Sequence, residues 1–158
     1  MIINRHALLE AAPIKDMLQA KERFQGYSHG LTECGYDIRI AQDVTMFLGR
    51  RFVLAHALEE FDVPDFLMGR VLNKSTWARR GIDASMTTNI EPGWKGFLTL
   101  ELRYSGILPI HIPKGVGIAQ VIFERIAEPT AYVGRYQDQP ARPVPAFLIT
   151  NEHKGYGK

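Results

Sequence analysis

The 158-residue chain has a single cysteine, Cys34. One thiol rules out an internal disulfide and any zinc site built from several cysteines, and a reducing compartment is its simplest setting. No apolar run approaches the ~20 residues that a bilayer span requires. The opening stretch MIINRHALLEAAPIKD carries charges inside its apolar part, unlike a secretory signal, so the expected location is the cytoplasm. Excess charge of one sign is lacking: 19 Lys and Arg against 17 Asp and Glu leave a formal net charge of +2. Neither a nucleic acid nor a membrane is therefore expected as a partner. There is no Walker A sequence, no G-x-G-x-x-G turn, and no H-x-E followed by P-C-x-x-C. His6, His29, His56, His111 and His153 show no metal-ligand spacing.

What is present is an ordinary globule, 46% hydrophobic and 23% charged. At this length a single domain buries roughly two-thirds of its unfolded surface, enough for a core without staples. The 14 glycines and 9 prolines favour many short strands. Asn4 is placed to cap a short helix, RHALLEA, that Pro13 ends. IKDMLQAKERFQ reads as helix or loop, and GYSHGLTECG as loop. Tyr36-Asp37-Ile38-Arg39-Ile40 then alternates like a half-buried strand. VTMFL, RFVLAHAL, FLMGRVL, GFLTLELRY, ILPIHI and GIAQVIFERI follow between Gly, Pro or Asp, the spacing of an antiparallel barrel or sandwich. His56 and Glu59 fall on the strand surface in this reading. From Pro129 the chain is proline-rich and reads as an arm without regular structure, ending in HKGYGK.

Three constellations carry chemistry. In Lys74-Ser75-Thr76-Trp77-Ala78-Arg79-Arg80-Gly81, Ser75 can cap a helical turn and Gly81 can end it. Free N–H groups, two hydroxyls and Lys74 there make an anion cradle, which Arg79 joins one turn later; the plainer reading is a solvated basic loop. In Phe97–Tyr104, Leu98, Leu100, Leu102 and Tyr104 share one face, and Thr99, Glu101 and Arg103 the other. Glu101 is a proton shuttle if that face is covered, or a wet carboxylate beside Arg103. The third, Thr87 to Gly96, reads as a Pro-Gly hairpin whose backbone can read a planar base. Its alternative is a structural turn with Trp94 in the core.

LNKSTWARRGI, NIEPGWKGFLTLEL, GVGIAQVIFER and RYQDQ, in that order and with GLTECGYDIRI upstream, resemble the dCTP deaminases of the dUTPase-like superfamily. The resemblance covers about residues 26–140. It implies an all-β fold, a distorted β-barrel or jelly-roll of dUTPase type with a short N-terminal helix. Residues 1–158 would form one domain: 1–25 helix and loop, 26–128 barrel, 129–158 arm. It implies a homotrimer with shared active sites. It also implies hydrolysis of dCTP to dUTP and ammonia, with Mg²⁺ carried on the triphosphate and no zinc. By position, Glu101 matches the glutamate that activates water and shuttles protons, Arg79 the arginine that supports it, and Ser75 a catalytic serine. Lys74, Ser75 and Thr76 match triphosphate contacts. Glu91 falls where an aspartate bonds the deoxyribose 3′-hydroxyl, and Thr87 where a carbonyl receives the cytosine amino group. Gln120, Tyr132, Arg135 and Gln139 match phosphate-binding positions, and Trp77, Ala78, Thr99 and Leu100 complete the implied substrate contacts.

The chain departs from the family at Glu91 (for Asp), Tyr104 (for Asn), Thr88 and Asn89, and is shorter before RFVLAHALEE. dCMP or a modified cytosine nucleotide therefore stands beside dCTP as substrate. A bifunctional enzyme forming dUMP, or a dUTPase, would need Glu91 to activate water; the Gly-rich dUTPase arm is not matched. The remaining alternative is a nucleotide-binding trimer without turnover.

Overall fold

The computed structural model describes residues 1–147; HKGYGK lies outside them. Among the described residues the strands are β1 (Ile2–Ile3), β2 (Lys21–Phe24), β3 (Tyr27–Leu31), β4 (Tyr36–Arg39), β5 (Val44–Met46), β6 (Phe52–Asp62), β7 (Leu67–Asn73), β8 (Ile82–Asp83), β9 (Asn89–Ile90), β10 (Lys95–Tyr104), β11 (Ile110–Ile112) and β12 (Gly117–Arg125). Two short helices, α1 (Arg5–Ala11) and α2 (Ser75–Ala78), accompany them. The main sheet runs β2-β3-β4-β12-β7-β9 with β1 on β12, a second runs β6-β10-β8, and β5 pairs with β11. Every strand pairing is antiparallel. None of the sheets closes on itself, so the expected all-β, jelly-roll-like fold is realised in its open, distorted form.

Alternation builds the core. Leu98, Leu100, Leu102 and Tyr104 of β10 and Val53, Ala55, Ala57 and Phe61 of β6 are buried in one cluster with Tyr36, Ile38, Val71, Val121 and Phe123 of the main sheet. The β6–β10 ribbon has one irregularity, where Phe97 faces Glu60 and Thr99 faces His56. β12 has another: Gly117 pairs with Arg39 and Ala119 with Ile38, leaving Ile118 as an extra residue. That bulge lets Gly117, Ile118 and Ala119 all be buried and turns Gln120 toward Asp37, its partner in register.

The expected helix is found, and Ala12 ends it in the left-handed region before Pro13. Asn4 sits at the cap position but donates its amide to the Glu33 carbonyl at 2.8 Å instead of capping. The stretch read as helix or loop and the one read as loop are both partly strand. β2 and β3 form a hairpin through Gln25 and Gly26, both at positive φ, the demand of a tight two-residue hairpin turn. Gln25 hides that turn, because Asn or Asp is the usual sign of it. Glu59, expected on the surface, is buried; Arg39 donates to its carboxylate from Nε and from its own backbone N–H, each at 2.8 Å. Burial pushes the Glu59 carboxyl above its usual range, against the pull of Arg39. Residues 91–94 are a turn as expected, with the Trp94 N–H on the Glu91 carbonyl and Gly93 at positive φ. It is not a hairpin, however: β9 pairs with β7 and β10 with β6, so the turn carries the chain between sheets.

β3 crosses tightly over the start of β12. A Cβ at Gly117 would collide with the Ser28 carbonyl oxygen, a backbone atom that cannot step aside. The Gly117 carbonyl in turn accepts the Trp77 indole N–H at 2.8 Å. Gly117→Ala should cost about 1–3 kcal/mol, the usual cost of overpacking. Urea unfolding of the variant measures it, and an unchanged midpoint would refute the close approach.

Candidate active site

The outward face of β10 floors a cleft of about 470 Å³, within the usual size range of small-molecule sites. Glu101 and Thr99 lie in it because their even-numbered neighbours are claimed by the core. Thr87, at the end of a single 3-10 turn (Ser85–Thr87), borders the cleft and accepts the Glu101 backbone N–H on Oγ1 at 2.9 Å. This bond pins the strand at the glutamate. The Glu101 carboxylate makes no ion pair or hydrogen bond among the described residues. Arg103, its alternative partner in sequence, pairs in register with Asp83 of β8. Glu91, at the turn between the sheets, and Asn89 of β9 add polar groups to the rim, and Leu54, Ile90, Trp94 and Leu98 supply apolar wall.

The arm forms the opposite wall. It is laid along the turn and the start of β10, largely through the backbone. Tyr132 N–H donates to the Pro92 carbonyl at 2.7 Å, Phe97 N–H to the Gln139 carbonyl at 2.9 Å, and Asp138 N–H to the Lys95 carbonyl at 3.0 Å. Gly96 is at positive φ, and Gln139 runs so close that a Cβ there would strike its backbone. Gln137, which lies within RYQDQ without a role assigned to it there, donates to the Gly93 carbonyl and accepts the Lys95 N–H. Thr99 Oγ1 donates to Gln139 Oε1 at 2.7 Å and accepts the Val144 N–H at 3.0 Å. Tyr132, Tyr136, Gln139, Val144 and Ala146 therefore face Glu101 across the cleft.

Of the residues singled out from sequence, Glu101, Thr87, Glu91, Thr99, Tyr132 and Gln139 are brought together in this cleft. Lys74, Ser75, Thr76, Trp77, Ala78, Arg79, Leu100, Gln120 and Arg135 do not line it. Leu100 points into the core, and Arg135 is exposed on the arm. Ser75, Thr76, Ala78 and Arg79 are exposed on and after α2. The cap position of α2 belongs to Lys74, and no side chain caps it, so Ser75 opens the helix where it was expected to cap it. Gly81 ends the segment at positive φ as expected. Trp77 is 1% exposed, stacked on Tyr27 with ring centroids 4.8 Å apart, and anchors α2 to β12.

Lys74 and Gln120 meet in a second polar cluster. The Lys74 ammonium is held by Asp37 Oδ2 and by Ser28 Oγ, the latter at 2.9 Å. Gln120 Nε2 donates to Thr32 Oγ1 at 3.1 Å and, more weakly, to Asp37 Oδ1 at 3.4 Å. Asp37 is absent from the residues the sequence points to. Its only signal is a carboxylate inside a strand whose neighbours on both sides, Tyr36 and Ile38, are also buried. His29 lies close by, buried and with Nδ1 unpartnered among the described residues. Burial first, then the nearby Arg39 charge, lowers its pKa from the ordinary 6.5. Burial also lowers that of His56, followed by Lys114.

A dCTP deaminase-like family model matches residues 37–126. The dCTP deaminase of Campylobacter fetus subsp. fetus (strain 82-40) is 34% identical over 154 residues, covering 77% of this chain and 82% of the relative. That of Methylacidiphilum infernorum (isolate V4) is 27% identical over 177 residues, covering 91% and 93%. Among solved structures, the 2′-deoxycytidine 5′-triphosphate deaminase of Agrobacterium tumefaciens superposes with a TM-score of 0.57 at 16% identity, over 77% of this chain and 47% of that one. A mutant dUTPase from phage phi11 of S. aureus, which coordinates a structural Mg(II) ion, gives 0.55 at 16%, over 78% and 94%. The fold is thus of the dUTPase type. Within that class, the chain belongs to the dCTP deaminase-like family.

Thr99→Val removes both of the bonds that the Thr99 hydroxyl makes to the arm. Hydrogen exchange at the Val144 amide should accelerate by about tenfold, as loss of a roughly 1.5 kcal/mol hydrogen bond implies; unchanged exchange would mean that the arm is held elsewhere. The depressed histidines have a pH consequence. Below the ordinary value of 6.5 the unfolded chain takes up protons that the folded chain resists. Stability that is fully present above that value is therefore lost as pH falls through the lower folded values. The melting temperature should drop between about pH 7 and pH 5, and His29→Gln with His56→Gln should flatten the drop.

Proposed function

We propose that this chain hydrolyses dCTP to dUTP and ammonia. The observation that carries the reading is the Glu101 carboxylate, without a partner among the described residues, on the floor of a ligand-sized cleft in a chain of the dCTP deaminase-like family. In this reading Glu101 takes a proton from water, whose oxygen attacks C4 of cytosine, and delivers it to N3. The amine then leaves as ammonia once the hydroxyl proton has been passed to it. Nothing is oxidised or reduced. The Thr87–Glu101 bond holds the strand so that the carboxylate needs no rearrangement. Thr87, Glu91, Thr99, Tyr132 and Gln139 would hold the nucleoside.

Lys74, Ser75, Thr76, Arg79 and Gln120 would serve the triphosphate and the reacting centre, with Trp77 and Ala78 as their support, Leu100 beside Glu101 on its strand, and Arg135 at the arm. The absence of Lys74, Ser75, Thr76, Arg79 and Gln120 from the cleft that contains Glu101 supports a homotrimer in which a second copy supplies them. Mg²⁺ would arrive on the triphosphate as part of the substrate. The donor set suits this: the hydroxyls of Ser75 and Thr76 accompany one carboxylate, Asp37, that Lys74 already occupies. Residues 1–158 act as one domain in this reading. The exposed, free Cys34 thiol supports a reducing, cytoplasmic setting.

Incubation with dCTP and Mg²⁺, followed by chromatography, tests the function: dUTP and ammonia are expected, and unchanged dCTP refutes it. Release of dUMP and pyrophosphate would add a second reaction, for which Glu91 is the carboxylate at hand. Glu101→Gln should keep nucleotide affinity while lowering kcat about 10²–10⁴-fold; retained turnover would remove Glu101 from its role.

A further inference from the structure

We propose that Asp37 is a positioning residue for triphosphate recognition, acting by holding the Lys74 ammonium at the mouth of α2. This deepens the reading above and rests on Lys74 being a triphosphate contact. Asp37 is 4% exposed and Lys74 9%. A lysine ammonium has three N–H donors. Asp37 Oδ2 and Ser28 Oγ take two of them, and no further bond to Lys74 Nζ is found among the described residues. The third donor is the one left for a ligand oxygen, beside the exposed hydroxyls of Ser75 and Thr76.

The surroundings fix this arrangement from every side. Gln120 approaches Asp37 Oδ1 and also donates to Thr32, so the carboxylate is hindered from rotating away from the lysine. Ser28 is pressed into place by the side-chain-free Gly117. Asp37 is thus placed to set both the charge and the direction of Lys74. A buried ammonium without its carboxylate would be penalised by desolvation and would tend to withdraw from this position. Asp37 itself lies too deep to touch a nucleotide, and it does not border the cleft that holds Glu101.

The readout is therefore selective. Removing the Asp37 charge should weaken binding of nucleotides that carry the outer phosphates and spare those that lack them. Calorimetric binding of dCTP with Mg²⁺ is compared with that of dCMP for the wild type and for Asp37→Asn. The variant should bind dCTP about tenfold more weakly, the scale of one charge-assisted hydrogen bond, and dCMP as the wild type does. In turnover the loss should lie in KM, with kcat retained. A folded Asp37→Asn with wild-type dCTP affinity, or one that loses dCTP and dCMP affinity alike, overturns the proposal.

If Asp37→Asn does not fold, Asp37→Asn with Lys74→Met removes the charge pair as a unit, which proteins commonly tolerate. This double variant should discriminate dCTP from dCMP as poorly as Lys74→Met alone, and wild-type discrimination would overturn the proposal. Lys74→Met is also the control for the underlying reading. If that variant binds dCTP normally, Lys74 is no triphosphate contact. If it binds weakly while Asp37→Asn binds normally, only the role of Asp37 falls. The binding measurements are made in the Glu101→Gln background, where dCTP is not consumed during the titration, so neither result depends on turnover.

Discussion

A strand has two faces, and Leu98, Leu100, Leu102 and Tyr104 claim one face of β10 for the core. Everything functional about the cleft depends on that claim. Burying each leucine stabilises the fold by roughly 1.5–3 kcal/mol, whereas slipping the strand by one residue would expose all four together. No polar preference of Glu101 competes with a term of that size. The glutamate is therefore directed outward by the apolar residues beside it, and the Thr87 hydroxyl needs only to steady a strand already set. The placement costs the site little, since the residues that orient the carboxylate are the same ones that hold the two layers together.

Around this strand the chain keeps its polar equipment in two places. One group, in the cleft, combines Glu101 with the turn between the sheets and with the arm that crosses it. The other group is gathered where α2, β3, β4 and β12 meet, with Asp37 and Lys74 at its centre. The two are built differently. The cleft wall relies on backbone bonds between the arm and residues 92–97, while the second cluster relies on buried side chains locked by tight crossings at Gly117. A cluster of the second kind is rigid, which suits holding a charge in one direction.

What sequence could reveal divides along physical lines. Strands announced by alternation, such as β6, β7, β10 and β12, were readable, because half-burial imprints a period of two. So was Glu101, on the polar side of its strand. The hairpin of β2 and β3 was hidden by Gln25, which adopts positive φ without belonging to the residues usually found there. The burial of Glu59 and Asp37 was hidden for a different reason: only the third dimension supplies the Arg39 and Lys74 partners that make buried charge tolerable. The Pro-Gly turn was visible as a turn, but its strands join different sheets, a choice made by long-range pairing and not by residues 91–94. Separation of the Lys74 and Gln120 cluster from the cleft was likewise invisible, since family motifs carry order along the chain and no geometry.

The two irregularities in the sheets differ in arithmetic, and the difference bears on how such a chain can change length over evolution. In the β6–β10 ribbon, two residues of one strand span four of the other; the surplus is even, and neither strand exchanges its inner and outer sides. At Ile118 the surplus is a single residue, and sidedness is reset there, sending Gln120 toward Asp37. Insertions or deletions within the ribbon are thus tolerable in pairs and ruinous singly, because a lone codon gained or lost between Gly96 and Glu101 would turn the acid inward. The start of β12, by contrast, already carries one odd residue and exchanges its inner and outer sides there.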